Sequence, residues 1–314
     1  MTDAATGSVA SHALPIAAVE RDTGLSKDTL RVWERRYGFP QPVRDAFDER
    51  LYPSEQVERL RLIARLLGAG QRPGRVVPLP LADLQQLLLD LAPAATNAPL
   101  TPELQAVLDL VRRHEVMALR RTLNQAVLRL GLGRFLTELL APLNLQVGEA
   151  WVRGEIQVFE EHMYTESVTA VLRSALGSMA SMPRPGRPRV LLATFPQESH
   201  MLGLLMAEIA LVLEGCECVS LGAQTPVAEI VRAAQANRAQ IVGLSFSPAF
   251  NAQLLQRGLQ DLRSRLPAGI EIWAGGSHPL LQRRAPEGVT PVPRLEEISR
   301  LLTLWSAGQP QAAA

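Results

Sequence analysis

Glu198 and His200 stand two residues apart in the stretch Glu198-Ser199-His200-Met201-Leu202-Gly203. A carboxylate beside an imidazole can hold one ring nitrogen and leave the other to ligate a metal. Taken alone, such a pair is weak: a loop histidine is more often a surface or capping residue. Its position strengthens it. Arg189 to Phe195 is a short apolar run, long enough for a buried strand, and Leu204 to Leu213 reads as a helix halted at Gly215. The histidine therefore falls in a strand-to-helix loop, at the carboxyl end of a strand, where open α/β sheets bind ligands.

Two further elements lie downstream at defined separations. Forty-one residues intervene between Gly203 and Ser245-Phe246-Ser247, and twenty-seven more precede Gly275-Gly276. Glycines allow close backbone approach to a flat ring, and a hydroxyl can bond a ring nitrogen. The set resembles the cobalamin-binding Rossmann-like domain, whose signature is Asp/Glu-x-His-x-x-Gly, then Ser-x-Leu, then Gly-Gly. The resemblance implies that His200 is the lower axial ligand of cobalt. It places Glu198, Gly203, Ser245, Ser247, Gly275 and Gly276 at the cofactor, with Ser245 and the paired glycines lining a slot for its dimethylbenzimidazole tail. Ser247 departs from the pattern, standing where the family has Leu.

Before this domain, residues 102–180 read as almost wholly helical: Glu103–Val111, Glu115–Leu130, Leu132–Val152 and Glu155–Ser178, with turns at Gly131-Leu132-Gly133 and Arg153-Gly154. Trp151 closes the third helix and Glu161-His162 follow in the fourth. A tryptophan at a bundle end is ordinarily core and a Glu-His pair ordinarily surface. In this setting, however, Trp-x9-Glu-His resembles the cap of the coenzyme-B12-dependent photoreceptor repressors. That resemblance implies that Trp151, Glu161 and His162 cover the adenosyl group, which makes adenosylcobalamin (coenzyme B12) the expected cofactor. In such photoreceptors a histidine commonly follows the tryptophan and takes the upper cobalt position after light has expelled the adenosyl group. Here the residue is Val152. Three outcomes stay open: another histidine (His162 or His114) substitutes, water occupies the position, or the light response is altered or absent.

At the other end, Ile16, Ala17 and Val19 form a short apolar face, Thr23-Gly24-Leu25 a turn, and Ser26 caps a second helix running to about Arg36. That helix carries Lys27, Arg31, Arg35 and Arg36, with Leu30 and Trp33 as core contacts. A basic helix face is usually only solvated. Yet Leu30-Arg31-Val32-Trp33-Glu34-Arg35-Arg36-Tyr37-Gly38, followed by Arg50-Leu51-Tyr52, resembles the MerR-type winged helix-turn-helix. The resemblance implies double-stranded operator DNA as partner, with Lys27, Thr29, Arg31 and Arg35 on the second helix and Arg50 and Tyr52 on the wing as contacts. Asp48-Glu49 departs from the Gly-His or Gly-Tyr usual there; an acidic pair near phosphates weakens non-specific affinity. Pro73, Pro78 and Pro80 stop the long dimerising helix that many such proteins carry. A homo-oligomer, dimer or tetramer, is therefore expected through the C-terminal domains.

Composition bounds the class. The chain has 314 residues, 47% of them apolar, and a net charge of +1. That suits a soluble globular protein of several domains without a membrane partner. No apolar run is long enough to span a bilayer, and no signal-peptide pattern opens the chain. Cys216 and Cys218 alternate in an expected strand from Cys216 to Leu221 and read as buried thiols on one side of it, consistent with a cytoplasmic location.

The expectation is a multi-domain α and α/β protein: a winged helix-turn-helix, a four-helix bundle, then a doubly wound parallel Rossmann-like sheet. The borders fall at a disordered tail (1–12), reader (13–78), linker with a short helix (79–100), bundle (101–181), linker (182–188), Rossmann-like domain (189–309) and tail (310–314). The functional expectation is a light-responsive regulator, a repressor rather than an enzyme, in which photolysis alters oligomeric state and operator binding. Two competitors stand beside it. One is a regulator on this scaffold sensing another signal, or cobalamin without light. The other is a corrinoid enzyme subunit, against which the N-terminal reader argues.

Overall fold

The computed structural model describes residues 13–45, 47–68, 71–91, 101–179, 184–248, 250–283 and 285–308. The expected tails at 1–12 and 310–314 lie outside them, as do residues 92–100 of the first linker and 182–183 of the second. The described residues fall into two compact units. One runs up to Leu108 and takes in Leu145–His162; the other holds Asp109–Asn144 and everything from Met163 onward.

The first unit opens with β1 (Leu14–Pro15), α1 (Ile16–Thr23), α2 (Lys27–Tyr37), the hairpin β2 (Val43–Arg44) and β3 (Arg50–Tyr52), and α3 (Ser54–Gly68). The expected helix-turn-helix is present. Gly24 takes the left-handed conformation (φ 72°) that ends α1, and the Ser26 side chain accepts from the Thr29 N–H to cap α2. The sequence carried no sign of β1, which pairs antiparallel with β3 and makes the wing a three-stranded sheet. Two residues are too few for any periodicity. Leu30, Trp33, Tyr52, Leu60 and Ile63 fill the core beneath. The proline-rich stretch after α3 breaks the chain into α4 (Pro73–Val76) and α5 (Leu81–Leu91).

The helical region consists of α6 (Pro102–Arg112), α7 (Val116–Leu130), the short α8 (Leu132–Arg134), a π-helical segment (Phe135–Leu140), α9 (Ala141–Arg153) and α10 (Val158–Ser178). Two details differ from expectation. The third helix is interrupted by the π segment, whose Phe135, Leu136, Leu139 and Leu140 are all buried. The last helix starts three residues late, because the Glu160 carboxylate turns back to accept from the Gln157 N–H and closes the N-terminus there. Within the second unit, the Tyr164 hydroxyl donates to Asn144 Oδ1, and Asn144 Nδ2 lies 3.3 Å from Met206 Sδ.

The C-terminal part alternates β4 (Arg189–Ala193), α11 (Leu202–Leu213), β5 (Glu217–Gly222), α12 (Val227–Ala236), β6 (Ile241–Phe246), α13 (Ala252–Arg265), β7 (Glu271–Gly276), α14 (Pro279–Arg283), β8 (Val289–Val292) and α15 (Glu297–Gly308). The strands form one parallel sheet in the order β5-β4-β6-β7-β8. Both faces are covered, as parallel sheets require. Leu191, Ala193, Val242 and Leu244 pack toward α12 and α13 on one side; Val190, Leu192 and Trp273 pack toward α11 and α15 on the other. Cys216 is buried but precedes β5 instead of opening it, and Cys218 packs against the same cluster, so the two thiols do share a face.

Candidate functional site

Strand order decides which loops meet. β4 lies between β5 and β6, so the chain leaves β4 toward one edge of the sheet and returns beyond it. The loops that follow β4 and β6 therefore flank the switch point, where sheets of this kind open a crevice. Glu198 and His200 come from the first loop and Ser247 from the second.

Glu198 is buried, only 1% exposed, while the His200 side chain is 67% exposed. Oε1 of Glu198 accepts from the His200 backbone N–H at 3.0 Å and lies 2.6 Å from His200 Nδ1. Oε2 accepts from both the Ser247 N–H and the Ser247 hydroxyl, each at 2.8 Å. Burial would push the Glu198 carboxyl upward. The hydrogen bonds from His200 and Ser247, with the charge of His200, outweigh burial and hold it below the ordinary carboxylate range. The outcome is a buried anion that fixes an outward-facing imidazole through Nδ1. Ser247, the residue that departs from the family pattern, supports that anion.

Ser245 and the paired glycines lie side by side, since Ser245 is in register with Gly275 and Phe246 with Gly276. Gly276 has φ 99°, and a Cβ there would run into the Phe246 carbonyl oxygen. At Gly275 it would stand 3.1 Å from the Val292 carbonyl oxygen, and at Gly203 2.9 Å from Ser245 Oγ. The glycines thus let β6, β7, β8 and the start of α11 pack closely around Ser245.

Sequence reasoning missed Thr194. Fully buried at the end of β4, it donates its hydroxyl to the Glu198 carbonyl at 2.6 Å. Its Oγ1 also accepts from the Gln224 N–H, and its backbone bonds Gly222 and Thr225. It ties the loop from Gly222 to Pro226, which follows β5, to the one that carries His200. A polar residue closing an apolar strand was the available signal. His278 is 3% exposed; Nε2 lies 3.0 Å from the Phe250 carbonyl oxygen, and Nδ1 accepts from the Leu280 N–H. It caps α14.

The expected cap residues belong to the other compact unit. Trp151 is partly buried, and His162 is exposed with Nδ1 2.8 Å from Glu161 Oε2.

On the reader, Arg31 and Arg35 are exposed one turn apart on α2, with Arg31 3.3 Å from Asp28. Lys27 Nζ lies 3.6 Å from Glu20, and the Thr29 hydroxyl is 2.8 Å from that of Ser26. Arg50 donates from Nε to both Glu34 oxygens at 3.1 Å, and that hydrogen bond raises its pKa. Tyr52 is a correction: expected on the surface of the wing, it is 0% exposed, its ring filling the core under β3. Its hydroxyl has no hydrogen-bond partner among the described residues. At the wing tip Asp45 Oδ1 accepts from Phe47 N–H and Glu49 N–H, and Asp48 pairs with Arg44 at 3.2 Å.

Residues 14–77 match the family described as MerR HTH family regulatory protein, and residues 103–175 and 188–288 match two families each described as B12 binding domain. The chain is 30% identical over 259 residues to the HTH-type transcriptional repressor CarH of Myxococcus xanthus, covering 81% of this chain and 85% of that one. To the repressor CarA of the same organism it is 30% identical over 295 residues, covering 93% and 96%. In fold it is similar to the monomethylamine corrinoid protein of Methanosarcina barkeri, at TM-score 0.52 and 13% identity over 63% of this chain and 96% of that one. Among the described residues no helix is long and apolar enough to cross a membrane. A DNA reader followed by both kinds of B12-binding domain, with repressors rather than enzymes as full-length relatives, is one architecture: the chain belongs to the family of MerR-type, B12-binding transcriptional regulators.

Proposed function

We propose that this regulator binds adenosylcobalamin with His200 as the lower axial ligand of cobalt, and that light, by breaking the cobalt–carbon bond, changes its oligomeric state and its hold on an operator. The Glu198–His200 pair carries the reading. An outward imidazole held at Nδ1 by a buried carboxylate is built to present Nε2 to a metal. Among the described residues no group of three or more His, Cys, Asp and Glu converges. A single protein ligand suits a metal whose in-plane ligands arrive with the cofactor. The bare backbone at Gly275 and Gly276, in register with Ser245 and Phe246, would meet a flat tail beside the Ser245 hydroxyl.

Trp151, Glu161 and His162 would cover the upper face, the ring filling space and the polar groups meeting ribose hydroxyls. Bound there, the cofactor supplies a light-labile bond; the chain supplies the axial base, the cover and the exclusion of water. Lys27, Thr29, Arg31, Arg35 and Arg50 would meet DNA. Joining several weak readers in a dimer or tetramer through the C-terminal domains raises avidity without new contacts, so assembly can act as the switch in a cytoplasmic repressor. The two states must differ in their contacts with the cofactor for it to switch anything.

The test is an absorption spectrum of protein mixed with adenosylcobalamin in the dark and desalted, read before and after green light, with size-exclusion and operator-binding measurements on the same samples. A retained, histidine-ligated spectrum that changes with light, together with a change in assembly and affinity, supports the reading. Cofactor that washes off overturns it. One observation favours a second reading: Val152 follows Trp151, and valine cannot ligate cobalt. A retained cofactor whose illumination leaves assembly and DNA affinity unchanged would establish a cobalamin sensor that does not use light.

A further inference from the structure

Arg65 in α3 of the reader lies against Gly154, the turn between α9 and α10, and both belong to the same compact unit. A Cβ on Gly154 would stand 2.8 Å from Arg65 Nη1, and Gly154 has φ 76°. The left-handed φ favours glycine there, and the guanidinium end of Arg65 occupies the space a side chain would take. Among the described residues the buried Nε of Arg65 has no hydrogen-bond partner, and no carboxylate pairs with the guanidinium. Burial, then the neighbouring Arg61, lowers its pKa. Leaving a cation in such a place costs stability unless something offsets it. The end of α9 is one offset. The C-terminal end of a helix is electronegative, and Arg153, the charge already there, is engaged by Glu155 and Glu149. The turn is tightly made, with Gly154 N–H bonded to the Trp151 carbonyl and Glu155 N–H to the Ala150 carbonyl.

We propose that Arg65 and the Gly154 turn form the joint through which the helical cap and the DNA reader of one chain sense each other. Trp151 lies three residues before this turn and Glu161 seven after it, so whatever shifts the cap shifts the backbone that Arg65 touches. α3 follows the wing directly and packs on α1, and the wing strand β3 also packs on α1. A displacement of Arg65 is thereby passed to the elements that position α2 and the wing. The joint rests on the proposed function only in naming cobalamin as what moves the cap; the contact is independent of it.

The experiment is hydrogen–deuterium exchange on the full chain, first without cofactor. Arg65→Met, which keeps the apolar stem, should speed exchange at the Gly154 and Glu155 amides about ten-fold. Gly154→Ala should speed exchange across Ser54–Gly68, since coupling is reciprocal. Unchanged exchange at the turn in Arg65→Met overturns the proposal whether or not cobalamin binds, and Arg65→Lys provides a milder variant should either of these fold poorly. Adenosylcobalamin is then added in the dark. Wild type should alter exchange over Ser54–Gly68, whereas Arg65→Met should retain the cofactor by absorbance and lose that response. A wild-type chain that holds cofactor without any change in Ser54–Gly68 also overturns the joint. Failure to hold cofactor sinks the proposed function instead, and the cofactor-free arm still decides the contact.

Discussion

Ser247 places both its backbone N–H and its hydroxyl on Oε2 of Glu198, 2.8 Å from each donor. The carboxylate that orients His200 is therefore anchored from across the switch point, by a residue on the neighbouring strand's loop. Ser247→Ala removes one of these donors and leaves the backbone bond. A hydrogen bond to a buried charge is worth about 1.5–3 kcal/mol, so urea unfolding should show a loss in that range. On the proposed role of His200 as the cobalt ligand, weakening the support behind its imidazole should also raise the cobalamin dissociation constant about tenfold. Unaltered affinity in a folded Ser247→Ala protein would show that Glu198 holds His200 without this help.

The glycines around Ser245, where the tail slot is proposed, should differ sharply in tolerance. A methyl at Gly276 meets rigid backbone at Phe246 and a left-handed φ, so Gly276→Ala should cost more than about 3 kcal/mol and be recovered as insoluble or strongly destabilised protein. At Gly203 the obstacle is the Ser245 hydroxyl, the end of a side chain that can rotate. Gly203→Ala should therefore melt within a few degrees of wild type, a loss of about 1 kcal/mol, yet narrow the slot. Thermal melts and cobalamin titration of the two variants check this contrast.

These sites show what was legible and what was not. The ends of α7, α10 and α11 at Leu130, Ser178 and Leu213 agree with the sequence reading, because apolar spacing and helix stops are local signals. The Glu198-x-His200 pairing was legible for the same reason, its two members being close along the chain. The Ser247–Glu198 bond was not, since it depends on β4 and β6 being neighbours. Tyr52 was misplaced because the side of a three-residue strand that faces the core is set by its partners β1 and β2. The late start of α10 came from Glu160 reaching back to Gln157, which competes with a simple reading of helical periodicity. The Arg65–Gly154 contact, distant in sequence and without any motif, left no trace at all.

The cysteines should be inert at neutral pH. Burial pushes the Cys216 thiol up to about 11 and drives Cys218 upward as well. Thiolate is the reactive form, so iodoacetamide should label neither in the native protein and both after unfolding. Linkage fixes the pH profile. The folded pKa of Cys216 lies above the ordinary 9.0, so its contribution to stability is complete below pH 9 and is lost as pH rises toward 11, where the unfolded chain ionises first. Replacing both residues with alanine should flatten that part of the curve, measured as unfolding free energy at pH 8 and pH 10.

The reader offers a test that separates core from contact. The Tyr52 hydroxyl is buried without a partner among the described residues. Removing such a group relieves a desolvation penalty of about 1–3 kcal/mol, so Tyr52→Phe should be as stable as wild type or more so, and should bind operator equally well. Arg35→Ala, on an exposed turn of α2, should weaken operator binding: a phosphate role lowers the slope of log affinity against log salt by about 1, and a base-edge role confines the loss to the operator sequence. Asp48→Asn with Glu49→Gln should do the opposite at the wing tip, raising affinity for unrelated duplexes more than for the operator, because it removes repulsion without adding base contacts. Loss of operator binding in Tyr52→Phe with the fold intact would mean that the hydroxyl reaches the backbone when DNA is bound, and that the wing rearranges on binding.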